Sequence, residues 1–218
     1  MLEFRNVTVK RGKFTLSNIN FQLEDGYLLG ILGKNGAGKT TLLNSIMERH
    51  PNYTGDIFYQ GIDIQKEPEW FLEKCAYIAD DNRFFNKKTA MENVELLSGF
   101  YGKMDKEKFK TYMEEMKLSC RKQVGAMSRG QFIRFQIAFA RAHHAKLYLL
   151  DEATAGMDPV FRREFYNIMR QILAEEATIL MTTHIQSDID RNMDYICRLE
   201  HGKMVFFQEN FGEEGNHE

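Results

Sequence analysis

The stretch YLLGILGKNGAGKT, residues 27–40, decides the fold. Its first six residues are almost entirely apolar, which is typical of a strand buried on both faces of a sheet. Residues 33–40 then satisfy the pattern G-x-x-x-x-G-K-[ST], and TTLLNSIMER after them has a helical pattern. Such glycines let backbone N–H groups curl round phosphate oxygens, and the helix N-terminus adds partial positive charge. The stretch therefore predicts a nucleotide site at a strand–loop–helix turn.

Two side chains of this loop carry specific expectations. Lys39 is expected to reach the β- and γ-phosphates, and the Thr40 hydroxyl is expected to bind Mg²⁺. A nucleotide and Mg²⁺ are thus the predicted cofactors. The residues expected around the phosphates are Gly33, Lys34, Asn35, Gly36, Ala37, Gly38, Lys39, Thr40 and Thr41.

Composition limits the other functions open to the chain. Its 218 residues carry a net charge of −2, so no overall attraction to nucleic acid or acidic lipid is built in. Cys75, Cys120 and Cys197 form no CxxC pair and no zinc spacing, which favours reduced thiols in a cytosolic protein. The N-terminus lacks the apolar segment of a signal peptide, and no apolar run approaches the ~20 residues that span a bilayer. If the protein works at a membrane, another chain supplies the span.

The order of apolar segments predicts the architecture. Alternating stretches at 2–9 and 14–23 indicate paired strands, whereas KLYLLDE and ATILMTTH indicate buried strands separated by a helix. The prediction is an α/β fold: a P-loop NTPase core with a mixed sheet, an N-terminal antiparallel β subdomain and an inserted helical subdomain. The expected boundaries within a single domain, 1–218, are a core at 1–65 and 126–208, a helical subdomain at about 66–125 and a flexible tail at 209–218.

A second candidate site follows the buried strand LYLL. Asp151 and Glu152 come at the carboxyl end of this strand, where α/β sheets place their ligands. Asp151 is suited to hold Mg²⁺ through water, and Glu152 to orient or deprotonate an attacking water. Alone, an acidic pair at a strand end is as often structural as functional. After a phosphate loop, it favours function.

The segment AMSRGQFIRFQIAFARA, residues 126–142, predicts a capped helix. Ser128 stands at the N-cap position, and the apolar residues after it recur with helical spacing. Standing alone, the segment would be an ordinary helix. The residues expected to pack inward are Phe132, Phe135, Ile137, Phe139 and Ala140.

Taken in order, the phosphate loop, MSRGQ, LLDE, AGMDP and TTH resemble the nucleotide-binding subunit of ABC transporters, over residues 2 to about 208. MSRGQ stands where that family has its signature LSGGQ, AGMDP resembles the D-loop, and His184 resembles the switch histidine. The resemblance implies that two such subunits close head-to-tail on two ATP molecules. The signature residues that would face the partner's γ-phosphate are Ser128, Arg129, Gly130 and Gln131.

The same resemblance implies further roles. Glu152 would polarise the attacking water, while His184 would contact the γ-phosphate and hold Glu152 in place. Asp158 would link the two sites across the dimer. Hydrolysis would remove the bridging γ-phosphate, and the dimer would reopen.

Three residues depart from the family pattern. Arg11 occupies the position of the aromatic residue that stacks on adenine, although a guanidinium can also stack and Phe14 is close by. Arg129 replaces a signature glycine. In YIADD, residues 77–81, Asp80 replaces the glutamine that reaches Mg²⁺ and the attacking water, and we expect it to be a Mg²⁺ ligand beside Asp151 and Glu152.

The leading functional prediction is a transport motor. The chain resembles stand-alone ATPase subunits of ABC-2-type exporters for peptides, antibiotics or bacteriocins. That likeness implies a second ATPase subunit, identical or not, and a separately encoded transmembrane permease. The protein would then be cytoplasmic and peripheral on the inner face of the membrane. Candidates for the surface that docks on the permease are Arg83, Phe84 and Phe85. An interpretation of these residues as part of the subdomain core is nearly as well supported.

Two other functions stay open at this point. One is a non-transport ABC ATPase acting on nucleic acid or the ribosome, but the chain has neither a basic stripe nor a coiled-coil repeat, so no nucleic-acid partner is expected. The other is a different P-loop enzyme such as a small-molecule kinase. That alternative leaves MSRGQ and TTH unexplained.

Overall fold

The structure is a computed structural model that describes residues 1–48, 52–81, 83–102, 104–185 and 192–210. Most of the tail expected to be flexible, residues 211–218, lies outside the described residues. Within these ranges the strands are β1 (Leu2–Arg11), β2 (Phe14–Leu23), β3 (Leu28–Leu32), β4 (Tyr53–Tyr59), β5 (Ile62–Asp63), β6 (Cys75–Ile78), β7 (Leu147–Leu150), β8 (Thr178–Thr183), β9 (Tyr195–Glu200) and β10 (Lys203–Glu209). The helices are α1 (Lys39–Met47), α2 (Pro68–Glu73), α3 (Ala90–Leu97), α4 (Lys106–Glu115), α5 (Arg129–Ala142) and α6 (Pro159–Ala174).

The strands form one mixed sheet in the order β5-β4-β1-β2-β10-β9-β3-β8-β7-β6. At one end, β1 pairs antiparallel with both β2 and β4. At the other end, β9, β3, β8, β7 and β6 are all parallel. The antiparallel β subdomain and the parallel α/β core predicted from the sequence are both confirmed.

The parallel strands explain the long apolar runs of the sequence. Leu147 and Leu149 face one hydrophobic cluster, whereas Tyr148 and Leu150 face the other on the opposite side of the sheet. Every residue of β7 is therefore buried, as in other strands covered on both faces. Among the described helices, none is both long and apolar enough to cross a bilayer.

Helix α5 is the centre of the larger cluster. Its N-cap is Ser128, as predicted, and Ser128 and Gln131 together form a capping box. The five residues expected to pack inward are all buried, with Phe135 and Ile137 fully so. The prediction of a capped helix with this inward face is confirmed.

The helical segment between β6 and α5 packs on α5. Helix α3 begins with a capping box formed by Thr89 and Glu92, and Asp105 caps α4. Phe109 and Met113 of α4 are fully buried in the same cluster as α5. The division into core and helical subdomain stays a prediction, with one adjustment to its start. Since β6 pairs with β7 in the central sheet, the helical segment begins after Ile78 rather than near residue 66.

His143, at the end of α5, differs from expectation. Its position predicts a cation stabilised by the helix dipole, but the side chain is buried and stacks on Tyr101 with ring centroids 4.3 Å apart. Burial lowers the pKa of His143 to about 4, against the smaller opposing effect of hydrogen bonding to backbone. His143 is therefore a neutral core residue at pH 7.

This burial predicts an acid sensitivity. The unfolded chain binds a proton at His143 near pH 6.5, whereas the folded chain binds it only near pH 4, so stability falls as the pH drops through that interval. Urea unfolding at pH 7 and pH 4 should show that this residue contributes a loss of up to about 3 kcal/mol in the free energy of unfolding. His143→Gln should abolish this part of the loss of unfolding free energy between pH 7 and pH 4. His144→Gln, at the exposed neighbour, should keep it. The same loss of unfolding free energy in the parent and in His143→Gln would contradict the role given to His143.

Candidate functional site

The phosphate loop connects β3 to α1 and is held in place by the C-terminal hairpin. A Cβ on Gly33 would lie 2.5 Å from the Leu199 carbonyl oxygen, so no side chain fits there. The Gly202 N–H, in the turn between β9 and β10, donates to the Ala37 carbonyl at 3.1 Å. Gly38, with φ of 112°, directly precedes the first residue of α1. The loop thus presents the backbone curl and the helix N-terminus that phosphate binding requires.

Lys39 lies inside this loop with a defined orientation. Its side chain is only 5% exposed, and Nζ donates to the Gly33 carbonyl at 2.8 Å. The same nitrogen lies 3.5 Å from Glu152 Oε1. The ammonium group is therefore fixed between the loop that would hold the phosphates and the carboxylate at the end of β7.

Glu152 brings the predicted catalytic groups together. Its Oε1 lies 3.5 Å from Lys39 Nζ and 3.9 Å from His184 Nδ1. The Glu152 backbone has φ of 48°, a left-handed conformation that costs a residue with a side chain of the order of 1 kcal/mol. Three residues far apart in the chain thus meet at one carboxylate.

Asp151 is oriented by two residues that sequence reasoning missed. The Thr182 hydroxyl donates to Asp151 Oδ1 at 2.7 Å, and the Tyr77 hydroxyl donates to Oδ2 at 3.3 Å. Burial, and next the nearby Asp151 charge, raise the pKa of Tyr77, which keeps its phenol a donor. Thr182 also accepts a hydrogen bond from the Glu152 N–H at 2.8 Å. The threonine pair before His184 was a sequence signal, but which threonine faces the carboxylates depends on the strand's orientation.

Beside the loop lies a cavity of about 470 Å³. Arg11, expected near adenine, lines this cavity together with Phe14, and its guanidinium is paired with Glu48. Phe14 also packs close to Gly38. The other lining residues are Asn35, Gly36, Gly38, Lys39, Thr40, Thr41 and Glu152.

The donor groups here suit a magnesium nucleotide. Thr40 is exposed in the cavity wall at the start of α1, and Asp151 presents a carboxylate at the end of β7. Hydroxyl and carboxylate oxygens are the hard ligands that Mg²⁺ takes alongside substrate phosphates. Both residues therefore fit the predicted metal.

The signature residues 128–131 and the D-loop border a second cavity, of about 360 Å³. Ser128 is exposed, and its hydroxyl accepts a hydrogen bond from the Gln131 N–H. Asp158 caps α6 by accepting from the N–H groups of Val160 and Phe161. None of residues 33–41 lines this cavity. Within one chain, the structure thus leaves signature and phosphate loop as parts of different surfaces.

Asp80 makes a contact that the sequence did not predict. Sequence reasoning expected it to be a Mg²⁺ ligand beside Asp151 and Glu152, and that role stays a prediction. In the structure, both Asp80 carboxylate oxygens accept hydrogen bonds from Arg129 Nε, at 2.7 and 2.9 Å. The aspartate is thus neutralised by the arginine that replaces a signature glycine.

Comparison with known proteins gives consistent matches. The profile of the ABC transporter family matches residues 16–155. The ABC transporter ATP-binding protein YtrB of Bacillus subtilis is 31% identical over 207 residues, covering 94% of this chain and 70% of that protein. The bacitracin transport ATP-binding protein BcrA of Bacillus licheniformis is 29% identical over 194 residues, covering 88% and 63% of the two chains.

A solved structure resembles the fold closely. It is a dimeric ATP-binding cassette in a post-hydrolysis state bound to ADP and Pi, with a TM-score of 0.84 and 24% identity. The match covers 97% of this chain and 100% of that one. At this identity the likeness is one of fold.

Thr182→Val tests whether the missed threonine orients the carboxylates. Valine keeps the shape but leaves an Asp151 oxygen and the Glu152 N–H without that partner, which should lower the free energy of unfolding by about 1–3 kcal/mol. The rate of ATP hydrolysis per folded molecule should fall about 10- to 100-fold. Thr178→Val, buried on the same strand but at its opposite end, is the matched control and should keep the parent rate. Equal rates for the two variants would remove Thr182 from the site.

Proposed function

This chain belongs to the ABC transporter family and is an ATPase, and we propose that it is the motor subunit that couples ATP hydrolysis to a separate membrane subunit. The observation that carries the proposal is the convergence of Lys39 and His184 on one carboxylate oxygen of Glu152. The three residues come from α1, from the end of β7 and from the end of β8. Such a group matches the parts that phosphoryl transfer to water requires.

The phosphate loop and its neighbours bind the nucleotide in this proposal. The backbone N–H groups of residues 33–41 and the Lys39 ammonium hold the β- and γ-phosphates. Thr40 and Asp151 hold Mg²⁺, which neutralises charge on the phosphates when bound. The cavity wall formed by Arg11 and Phe14 receives the base. Its size and its position beside the loop support that assignment.

Glu152 acts on the attacking water. Its carboxylate accepts a proton from the water as the new P–O bond forms and the bond from the γ-phosphorus to the bridging oxygen breaks. His184 holds the carboxylate and contacts the γ-phosphate. The leaving group is ADP, and the released phosphate removes the link between subunits.

A second ATPase subunit completes each site in this proposal. The signature residues Ser128 and Gly130 lie on a different surface from the phosphate loop of their own chain, which supports a role toward the nucleotide of a partner. The helix N-terminus at residue 129 adds partial positive charge to that surface. Asp158 borders the same cavity and would link the two sites. The dimeric state named for the solved relative supports this arrangement.

The membrane subunit would dock in a groove beside the helical segment. This groove, of about 510 Å³, is walled by α2, β6 and α5 and by the turn that follows α3. Phe100 stands at its rim and is 77% exposed. Phe85 and Leu96, on the same segment, are each about half exposed. A groove with a large exposed apolar side chain at its rim, on a segment that exposes two more, is typical of a protein interface, and we assign as its occupant a helix of the membrane subunit.

The docking candidates inferred from the sequence separate into two kinds. The ring of Phe84 packs edge-on against Phe135 and Phe139, so this residue belongs to the core of the helical segment. Arg83 lies over the Tyr77 ring and pairs with Asp81 at the groove wall. Phe85 points outward and stays a candidate for the partner surface.

Glu152→Gln tests the catalytic assignment. The amide cannot accept the proton from water, so turnover should fall about 100-fold or more while ATP still binds. An ATP-bound dimer should accumulate, visible by size-exclusion chromatography with light scattering in MgATP. Lys39→Ala should abolish tight nucleotide binding and the dimer, and Glu114→Gln, on an exposed face of α4, should behave as the parent. Phosphate release by Glu152→Gln at the parent rate would show that the catalytic role is wrong.

Phe100→Asp tests the docking groove. A carboxylate at its rim should weaken association with the membrane subunit about 10-fold or more, because a charge would have to be desolvated on binding. The probe is a membrane protein encoded by the neighbouring reading frame and co-expressed with this chain. Val205→Asp, at an exposed apolar residue of β10, is the control and should leave association unchanged. Transport loses its support if that frame encodes no membrane protein, and the groove loses its role if the two variants associate equally.

A further inference from the structure

Arg129 makes contacts that no signature glycine could make. Its Nε donates to both carboxylate oxygens of Asp80, and its Nη2 donates to the Glu152 carbonyl oxygen at 3.0 Å. Its Nη1 lies 3.4 Å from the position that a Cβ of Gly156 would take. One guanidinium thus reaches the end of β6, the catalytic glutamate and the D-loop of the same chain.

The contact with Glu152 falls on a residue whose backbone needs support. Glu152 has φ of 48°, and its two peptide groups are each held by a side chain. The N–H donates to Thr182 Oγ1, and the carbonyl accepts from Arg129 Nη2 and also from the Ala155 N–H at 3.1 Å. A left-handed conformation at a residue with a Cβ persists when its surroundings fix it from both sides. Arg129 is one of three hydrogen-bond partners of this backbone, and the one that ties its carbonyl to α5.

Helix α5 holds the end of β6 at two points. The buried side chain of Gln136 donates to the Ala79 carbonyl at 2.9 Å and accepts from the Ala79 N–H at 3.3 Å. Seven residues earlier on α5, two helical turns away on the same face, Arg129 binds Asp80. The segment that leads from β6 into the helical segment is therefore fastened to α5 beside the guanidinium that supports Glu152.

We propose that Arg129 is a positioning residue acting within its own subunit: it fixes the backbone of Glu152, and Asp80 is the counterion that orients its guanidinium. The departures from the family pattern at Asp80 and Arg129 then form one unit. Asp80 serves the catalytic carboxylate through Arg129 rather than by ligating Mg²⁺. This inference rests on the proposed function in one respect, that Glu152 acts on the attacking water.

The chemistry of the guanidinium explains why an arginine is needed. Its planar fork presents donors in fixed directions, so Nε and Nη2 can bind a carboxylate and a carbonyl at the same time. A lysine ammonium on a flexible stem cannot reproduce that geometry. Asp80 is 60% exposed and Arg129 36% exposed, so the ion pair itself adds little to stability. Its effect is to select one orientation of the arginine.

A set of four variants tests the proposal: Asp80→Asn, Arg129→Gln, the double variant and Arg129→Lys. Arg129→Gln should lower kcat for MgATP about 10- to 100-fold, because Glu152 loses its position, with KM nearly unchanged. Asp80→Asn should lower kcat by a smaller factor. The double variant should match Arg129→Gln alone, since the two residues act as one unit. Arg129→Lys should not restore kcat, and Asp80→Asn should leave the half-activating Mg²⁺ concentration unchanged.

The matched control is Asp81→Asn. Asp81 is the adjacent carboxylate, is similarly exposed and has its own ion pair with Arg83, so its loss should leave kcat at the parent value. A readout independent of activity is the thermal unfolding midpoint, whose shift in the double variant should equal the larger single shift rather than the sum of both.

Several results would overturn the proposal. If the double variant lowers kcat by the product of the two single factors, or shifts the unfolding midpoint by the sum of the two single shifts, Asp80 and Arg129 act independently. A raised Mg²⁺ requirement in Asp80→Asn alone would make Asp80 a metal ligand. A raised KM with normal kcat in Arg129→Gln would place the arginine on the partner's nucleotide. Failure of the proposed function itself would appear differently, as normal turnover by Glu152→Gln, and the midpoint shifts would still decide whether Arg129 and Asp80 form one unit.

Discussion

The register of three parallel strands is the constraint on which the site depends. Leu32 at the end of β3 pairs with Thr183 of β8, and Leu150 at the end of β7 pairs with Met181 of β8. The three strands therefore end at nearly the same level of the sheet. The phosphate loop, Glu152 and His184 each leave the sheet at that level. A shift of one residue in either pairing would reverse the faces of a strand and separate these groups.

Much of this arrangement could be predicted from the sequence, because its signals are local. A glycine loop between a buried strand and a helix, and a carboxylate pair after a second buried strand, are each contained in fewer than about twenty residues. The contact between Asp80 and Arg129 was out of reach, since the two lie 49 residues apart and meet only when α5 packs against the end of β6. His143 was misinterpreted for a related reason. Its position at a helix end is visible in the sequence, but the packing of the Tyr101 ring against it is visible only in the structure.

Helix α5 connects three parts of the candidate site. The N-terminal turn of α5 exposes Ser128 toward the second cavity, while the Arg129 side chain turns back to Glu152 and the Gln136 side chain secures Ala79. The packed aromatic face of α5 fixes all three in one rigid element. A displacement of the helical segment would therefore be transmitted to the backbone of Glu152 through a short, hydrogen-bonded route.

The hairpin between β9 and β10 determines when the nucleotide site can form during translation. Its Gly202 donates to Ala37 in the phosphate loop and accepts from Ser17 of β2, while the Leu199 carbonyl lies against Gly33. The loop is translated early, and the backbone that braces it, at residues 199–202, is translated long afterwards. A nascent chain carries the nucleotide motif long before it carries the nucleotide site. Full affinity for nucleotide would thus report that synthesis has passed this hairpin.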